Sequence, residues 1–222
     1  MYDSTYAEYQ KSLFTGGYRI YTAIDMEKQE LLQNILNQEL KFSEDTGDNG
    51  IYDLQGAAVC IDNETGLVTA IVGGRTQEYD GYMFNRAYQA YRQPGSAIKP
   101  VLVYAPYLIA GHMPDEIIDD SYMPGGPKNV DDTYRGLITL TEALGYSTNV
   151  PAWKIMESLT PETAIQYLHA MNYAKINDDE HNMAISVGGF TYGVSPVELA
   201  AGYATLENNG TYRNPTCVSR IT

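Results

Sequence analysis

The chain has 222 residues, 44% hydrophobic and 19% charged, which is enough for one domain, or one with a small appendage, around a sizeable core. Its 28 acidic residues against 14 basic ones give a formal charge of −14, which argues against nucleic acid, whose binding needs clustered Lys and Arg. Twenty tyrosines beside four phenylalanines suit a fold with many half-exposed aromatic positions.

Residues 1–24 form a polar, tyrosine-rich lead-in that closes on an alternating stretch, 18–24, predicted as a short strand. Asp25 can cap a following helix, in which Leu31, Leu32, Ile35, Leu36 and Leu40 fall on one apolar stripe. Residues 43–50 read as a loop. The apolar runs 57–61 and 67–72, separated by Asp62-Asn63-Glu64-Thr65-Gly66, predict a hairpin. Both runs are apolar at nearly every position, so a sheet covered on both faces is expected, with Cys60 a buried free thiol. With Cys217 it allows at most one bridge.

An apolar helix is predicted over 96–110, stopped by Gly111, with Pro100 in its first turn and Pro106 kinking or shortening it. Residues 112–136 are rich in Pro, Gly and Asp and read as a long loop. Shorter helices are expected over 139–144, over 151–159 and from Thr160-Pro161-Glu162, and a last one from the capping box Ser195-Pro196-Val197-Glu198 to Asn209-Gly210. The acidic groups Asp119-Asp120, Asp131-Asp132 and Asp178-Asp179-Glu180 read as solvated loops, without the spacing that wraps calcium. His112, His169 and His181 lack metal-ligand spacing. No apolar stretch is long enough to cross a membrane, so any anchor or export signal would lie outside these residues. One hairpin is too little sheet for so many helices, a hint that strands are missing.

Two short motifs can carry chemistry. Ser96 and Lys99 stand three residues apart at the start of an apolar helix, which puts both on one face. A serine hydroxyl is a weak nucleophile until a base takes its proton, and a lysine can do so once burial depresses its pKa. Of the ten serines, only Ser96 has Lys three positions on. Ser147-Thr148-Asn149, in a loop between two helices, offers a hydroxyl for proton relay and an amide for substrate and lysine. Each motif alone also reads as helix capping.

In this order, S-x-x-K and S-x-N resemble the first two of the three signature elements of serine penicillin-recognising enzymes. The flanks sharpen the resemblance to the transpeptidase domain of class A penicillin-binding proteins: residues 16–25, Phe84-Asn85-Arg86-Ala87, Arg92 to Pro100, Ser147 to Ala152, and Gly193 to Ala200. The resemblance implies an α+β, penicillin-binding protein/serine β-lactamase-like fold, here a helical subdomain plus the first strands of an antiparallel sheet. Residues 1–24 would be a linker and 25–222 the front of the transpeptidase domain. It also implies that Ser96 attacks the penultimate D-alanine carbonyl of a peptidoglycan stem peptide, that Lys99 is general base, that Ser147 relays the proton, and that Asn149 orients Lys99 and the substrate amide.

By the same resemblance, β-lactams acylate Ser96 and no metal or organic cofactor is needed; it is the acidic charge that argues against a nucleic-acid partner. The parent protein would be membrane-anchored on the extracytoplasmic face of the bacterial membrane, with an upstream glycosyltransferase domain. The third element, K-T-G, does not occur in these 222 residues, so the chain is expected to stop before that strand and to have little activity alone. A serine β-lactamase-like hydrolase and a non-catalytic β-lactam-sensing or scaffold module remain alternatives.

Overall fold

The computed structural model describes residues 2–47, 50–76 and 83–222. Asp48 and Asn49, inside the loop predicted over 43–50, lie outside the described residues. The first element is a helix, α1 (Tyr2–Thr15), in the lead-in where none was predicted. Its Tyr6, Tyr9, Leu13 and Phe14 stay exposed, and a helix that buries no face leaves no apolar period to read. β1 (Ile20–Thr22) falls inside the strand predicted over 18–24.

Asp25 caps α2 (Met26–Glu39) as expected, accepting from the N–H groups of Glu27 and Lys28 at 3.0 and 3.2 Å. Of the predicted stripe, Leu32, Leu36 and Leu40 are half-buried, while Leu31 and Ile35 face solvent. β2 (Ala58–Ile61) and β3 (Val68–Val72) form the predicted hairpin. Asp62 shapes its turn by accepting from the Thr65 N–H and hydroxyl at 2.9 and 2.6 Å. The Gln29 amide ties α2 to this sheet like a strand neighbour: the Ile71 N–H donates to it at 2.8 Å, and it donates to the Ile71 carbonyl at 2.9 Å.

The hairpin is less covered than expected. β3 buries Val68, Ala70 and Val72, but β2 is half-buried along its length. Cys60 is therefore a half-buried free thiol rather than a buried one, and Cys217 is exposed.

After a short helix, α3 (Arg86–Gln89), the segment predicted as one helix over 96–110 has three geometries. Gly95–Ile98 is a 3₁₀ turn, Pro100–Tyr104 a π turn, and α4 (Ala105–Ile109) an α-helix. Pro106 has no N–H to return to Leu102, and the Ala105 N–H reaches back to the Pro100 carbonyl instead, which widens the turn.

The loop predicted over 112–136 contains a strand, β4 (Ile117–Asp120), paired antiparallel with β5 (Gly136–Thr139). The acidic pair in it is not a solvated loop. Asp120 is fully buried and Asp119 binds the Lys154 ammonium at 2.8 Å. Glu180 is buried too, accepting from the Thr191 N–H at 2.8 Å.

α5 (Leu140–Gly145) starts on a capping box of Thr139 and Glu142. α6 (Asn149–Leu159) begins two residues earlier than predicted, and α7 (Pro161–Ala170) starts at its Thr160 cap. An unpredicted 3₁₀ turn at Met183–Val187 follows. α8 (Pro196–Glu207) carries the expected capping box of Ser195 and Glu198. β6 (Val218–Ile221) then pairs with β1, Ile221 opposite Ile20. The fold is α+β, with its main core in the helical part, where Leu102, Ile155, Met156, Ile165 and Leu168 are almost completely buried. Each such side chain contributes roughly 1.5–3 kcal/mol.

Candidate active site

Ser96 lies half-buried in the 3₁₀ turn, and the segment around it is held by backbone contacts from 188–194. Arg92 and Val194 exchange two backbone hydrogen bonds, at 3.1 and 2.9 Å, and the Gln93 amide donates to the Phe190 carbonyl at 2.8 Å. Two glycines permit this approach. A Cβ on Gly188 (φ +89°) would sit 2.2 Å from the Gly95 carbonyl oxygen, and one on Gly193 (φ +91°) 2.1 Å from that of Arg92. On the other side, the Tyr203 hydroxyl donates to the Ala97 carbonyl at 2.8 Å.

Lys99 is 1% exposed, a cation inside the core. Its ammonium donates to the Ser147 carbonyl at 2.6 Å, the Asn149 Oδ1 at 2.7 Å and the Thr148 carbonyl at 3.1 Å, with the Ser147 hydroxyl at 3.4 Å. Three good acceptors explain how the charge is tolerated. Burial still disfavours the charged form, and it lowers the Lys99 pKa from 10.5 to about 8.

The S-x-N loop is shaped to provide those acceptors. Ser147 has φ +54°, in the left-handed region where non-glycine residues are uncommon. Thr148 is buried, and both its N–H and its hydroxyl donate to the Ala143 carbonyl, at 3.1 and 3.2 Å. Asn149 then opens α6.

Lys99, Ser147 and Asn149 thus meet as the sequence suggested. Ser96 lies in the 3₁₀ turn that Lys99 closes as the residue after it, but its hydroxyl makes no hydrogen bond to Lys99 or Ser147. Sequence reasoning missed Asn129 and Asp120, which stand behind the S-x-N loop. Nothing in their spacing marks them, and they lie in a stretch read as solvated loop.

Residues 56–222 match the penicillin-binding protein transpeptidase domain family. The chain belongs to that family. Penicillin-binding protein 4 of Bacillus subtilis (strain 168) is 34% identical over 215 residues, which is 95% of this chain and 33% of that protein. Penicillin-binding protein 1A of Clostridium acetobutylicum is 33% identical over 238 residues, 99% of this chain and 29% of the relative. These relatives bear out the resemblance to class A penicillin-binding proteins.

The fold agrees. The penicillin-binding protein PonA1 of Mycobacterium tuberculosis superposes with a TM-score of 0.75 at 26% identity, over 96% of this chain and 55% of that one. The PonA1 structure in complex with penicillin V gives 0.76 at 25% identity, over 96% and 57% of the two chains. The chain therefore spans about a third of the curated relatives and about half of the solved chains. No helix among its described residues is long and apolar enough to cross a membrane.

Proposed function

We propose that this chain carries the acylating part of a D-Ala-D-Ala transpeptidase site, with residues 25–222 belonging to that domain and 1–24 leading into it. The observation that carries the reading is the buried Lys99 amine, held by the S-x-N loop and tuned toward neutrality. In its neutral form Lys99 accepts the Ser96 hydroxyl proton as the oxygen attacks the penultimate D-alanine carbonyl. Collapse of the tetrahedral adduct breaks the C–N bond to the terminal D-alanine. The proton reaches that leaving amine from Lys99 through the Ser147 hydroxyl, 3.4 Å from the amine nitrogen. An amine from a second stem peptide then attacks the ester, forming the cross-link and returning the proton to Ser96.

β-Lactams would enter by the same first step, opening their ring onto Ser96. The parent protein, in this reading, is anchored in the bacterial membrane and works on its extracytoplasmic face, with a glycosyltransferase domain upstream. K-T-G is not among these 222 residues, and a missing oxyanion donor typically costs about 10²–10³ in rate. The isolated chain should accordingly acylate far more slowly than the parent protein. Fluorescent penicillin labelling tests the assignment: the parent protein should be labelled, and Ser96→Ala should abolish the label. Full labelling of that variant would refute the reading.

A further inference from the structure

The N-terminus of α6 carries Asn149, yet its cap residue Thr148 makes no side-chain capping bond. The first N–H groups of a helix need acceptors from elsewhere. Here they come from a residue twenty positions upstream. Asn129, 3% exposed, accepts from the Asn149 N–H at 2.7 Å and the Val150 N–H at 3.3 Å. Its amide nitrogen donates to the Asp120 Oδ1 and to the Thr133 carbonyl, both at 2.8 Å. Every hydrogen-bonding position of the amide is used, and each end has partners of one kind only, so the group has one orientation.

Asp120, fully buried on β4, is fixed in turn by the Arg135 N–H at 3.2 Å, with the Arg135 guanidinium at 3.8 Å. The next residue back completes the arrangement. The Lys128 carbonyl accepts from the Asn149 Nδ2 at 2.7 Å, which leaves Asn149 Oδ1 turned toward Lys99. Residues 128 and 129 therefore hold both the backbone and the side chain of Asn149, while neither is hydrogen-bonded to Lys99.

We propose that Asn129, backed by Asp120, is a positioning residue of the transpeptidase site, which sets the S-x-N loop so that Asn149 holds the Lys99 amine. This rests on the roles given above to Ser96, Lys99 and Asn149. An ordinary helix cap would affect only how much protein is folded. A positioning residue changes the chemistry of the molecules that are folded.

The test is the pH profile of the penicillin acylation rate constant in the parent protein, for wild type, Asn129→Ala, Asn129→Asp and the exchanged pair Asp120→Asn/Asn129→Asp. In Asn129→Ala the plateau rate should fall about tenfold or more. The profile midpoint should also move to lower pH, because the ammonium loses the Asn149 oxygen while remaining buried. The exchanged pair keeps an acceptor for the Asn149 and Val150 N–H groups and a donor between positions 120 and 129, and loses the bond to the Thr133 carbonyl. It should recover most of the rate lost in the Asn129→Asp single variant, where two carboxylates face each other.

A lower melting temperature with unchanged rate constant and midpoint would overturn the positioning role, as would a midpoint that rises. If wild type fails to label, or Ser96→Ala labels as well, the underlying site assignment fails instead, and the two failures are told apart.

Discussion

Lys99 and Asn149 stand fifty residues apart in the chain, yet the lysine ammonium donates to the asparagine oxygen at 2.7 Å in a space almost closed to water. The contact joins the segment that carries Ser96, the proposed nucleophile, to the loop that carries Ser147, the proposed proton relay. It also places a buried charge where its loss would be chemically useful.

The titration of Lys99 should appear in stability. A lysine whose folded pKa, about 8, lies below its unfolded value of 10.5 binds fewer protons folded than unfolded between those two values. Its destabilising contribution is therefore complete below pH 8 and is relieved as pH rises toward 10.5. The size is on the order of 3 kcal/mol at most. Urea unfolding of wild type and Lys99→Met at pH 7 and pH 10 isolates it. Wild type should gain stability relative to the variant at the higher pH, and a constant difference would contradict this.

Asp120 should be among the costlier polar residues to remove. Alanine there leaves one N–H of the buried Asn129 amide, and the Arg135 N–H, without an acceptor. We expect Asp120→Ala to lower unfolding free energy by about 2–4 kcal/mol in denaturant titrations. A loss below about 0.5 kcal/mol, the size of ordinary surface changes, would show that the carboxylate is not integral to the fold.

Gly188 tests the support beneath Ser96. Alanine would combine a strained φ of +89° with a Cβ 2.2 Å from the Gly95 carbonyl oxygen. Gly188→Ala should cost about 2 kcal/mol or more and slow penicillin labelling, because the Ser96 turn must move to make room. Unchanged melting and labelling would mean the two segments are not pressed together.

Tyr173 should behave in the opposite way. Its hydroxyl is buried with no hydrogen-bond partner among the described residues, so Tyr173→Phe removes an unsatisfied polar group and little else. Calorimetry should show no loss of stability, and a gain of up to about 1 kcal/mol is expected. A clear loss would reveal a partner for that oxygen.

Much of this molecule was legible wherever the deciding interaction is local. The Asp25 cap, the Ser195–Glu198 box and the Asp62 turn each act within three residues, so the sequence carries them on its surface. Lys99 with Ser147 and Asn149 was legible because of the motif resemblance, not because of spacing. The long-range pieces were not. β1 finds its partner at the far end of the chain, and Asp120 looks solvated until Asn129 and Arg135 are seen to close over it. Pro106 announced a disturbed helix, but the wide turn before it depends on where the displaced N–H finds an acceptor.

Mass spectrometric mapping of the penicillin adduct in the parent protein bears most directly on the central claim. The ester should be found on the peptide containing Ser96, and on that hydroxyl within it. An adduct carried by Ser147, or by any other side chain, would contradict the assignment of the nucleophile and with it the role given to Lys99.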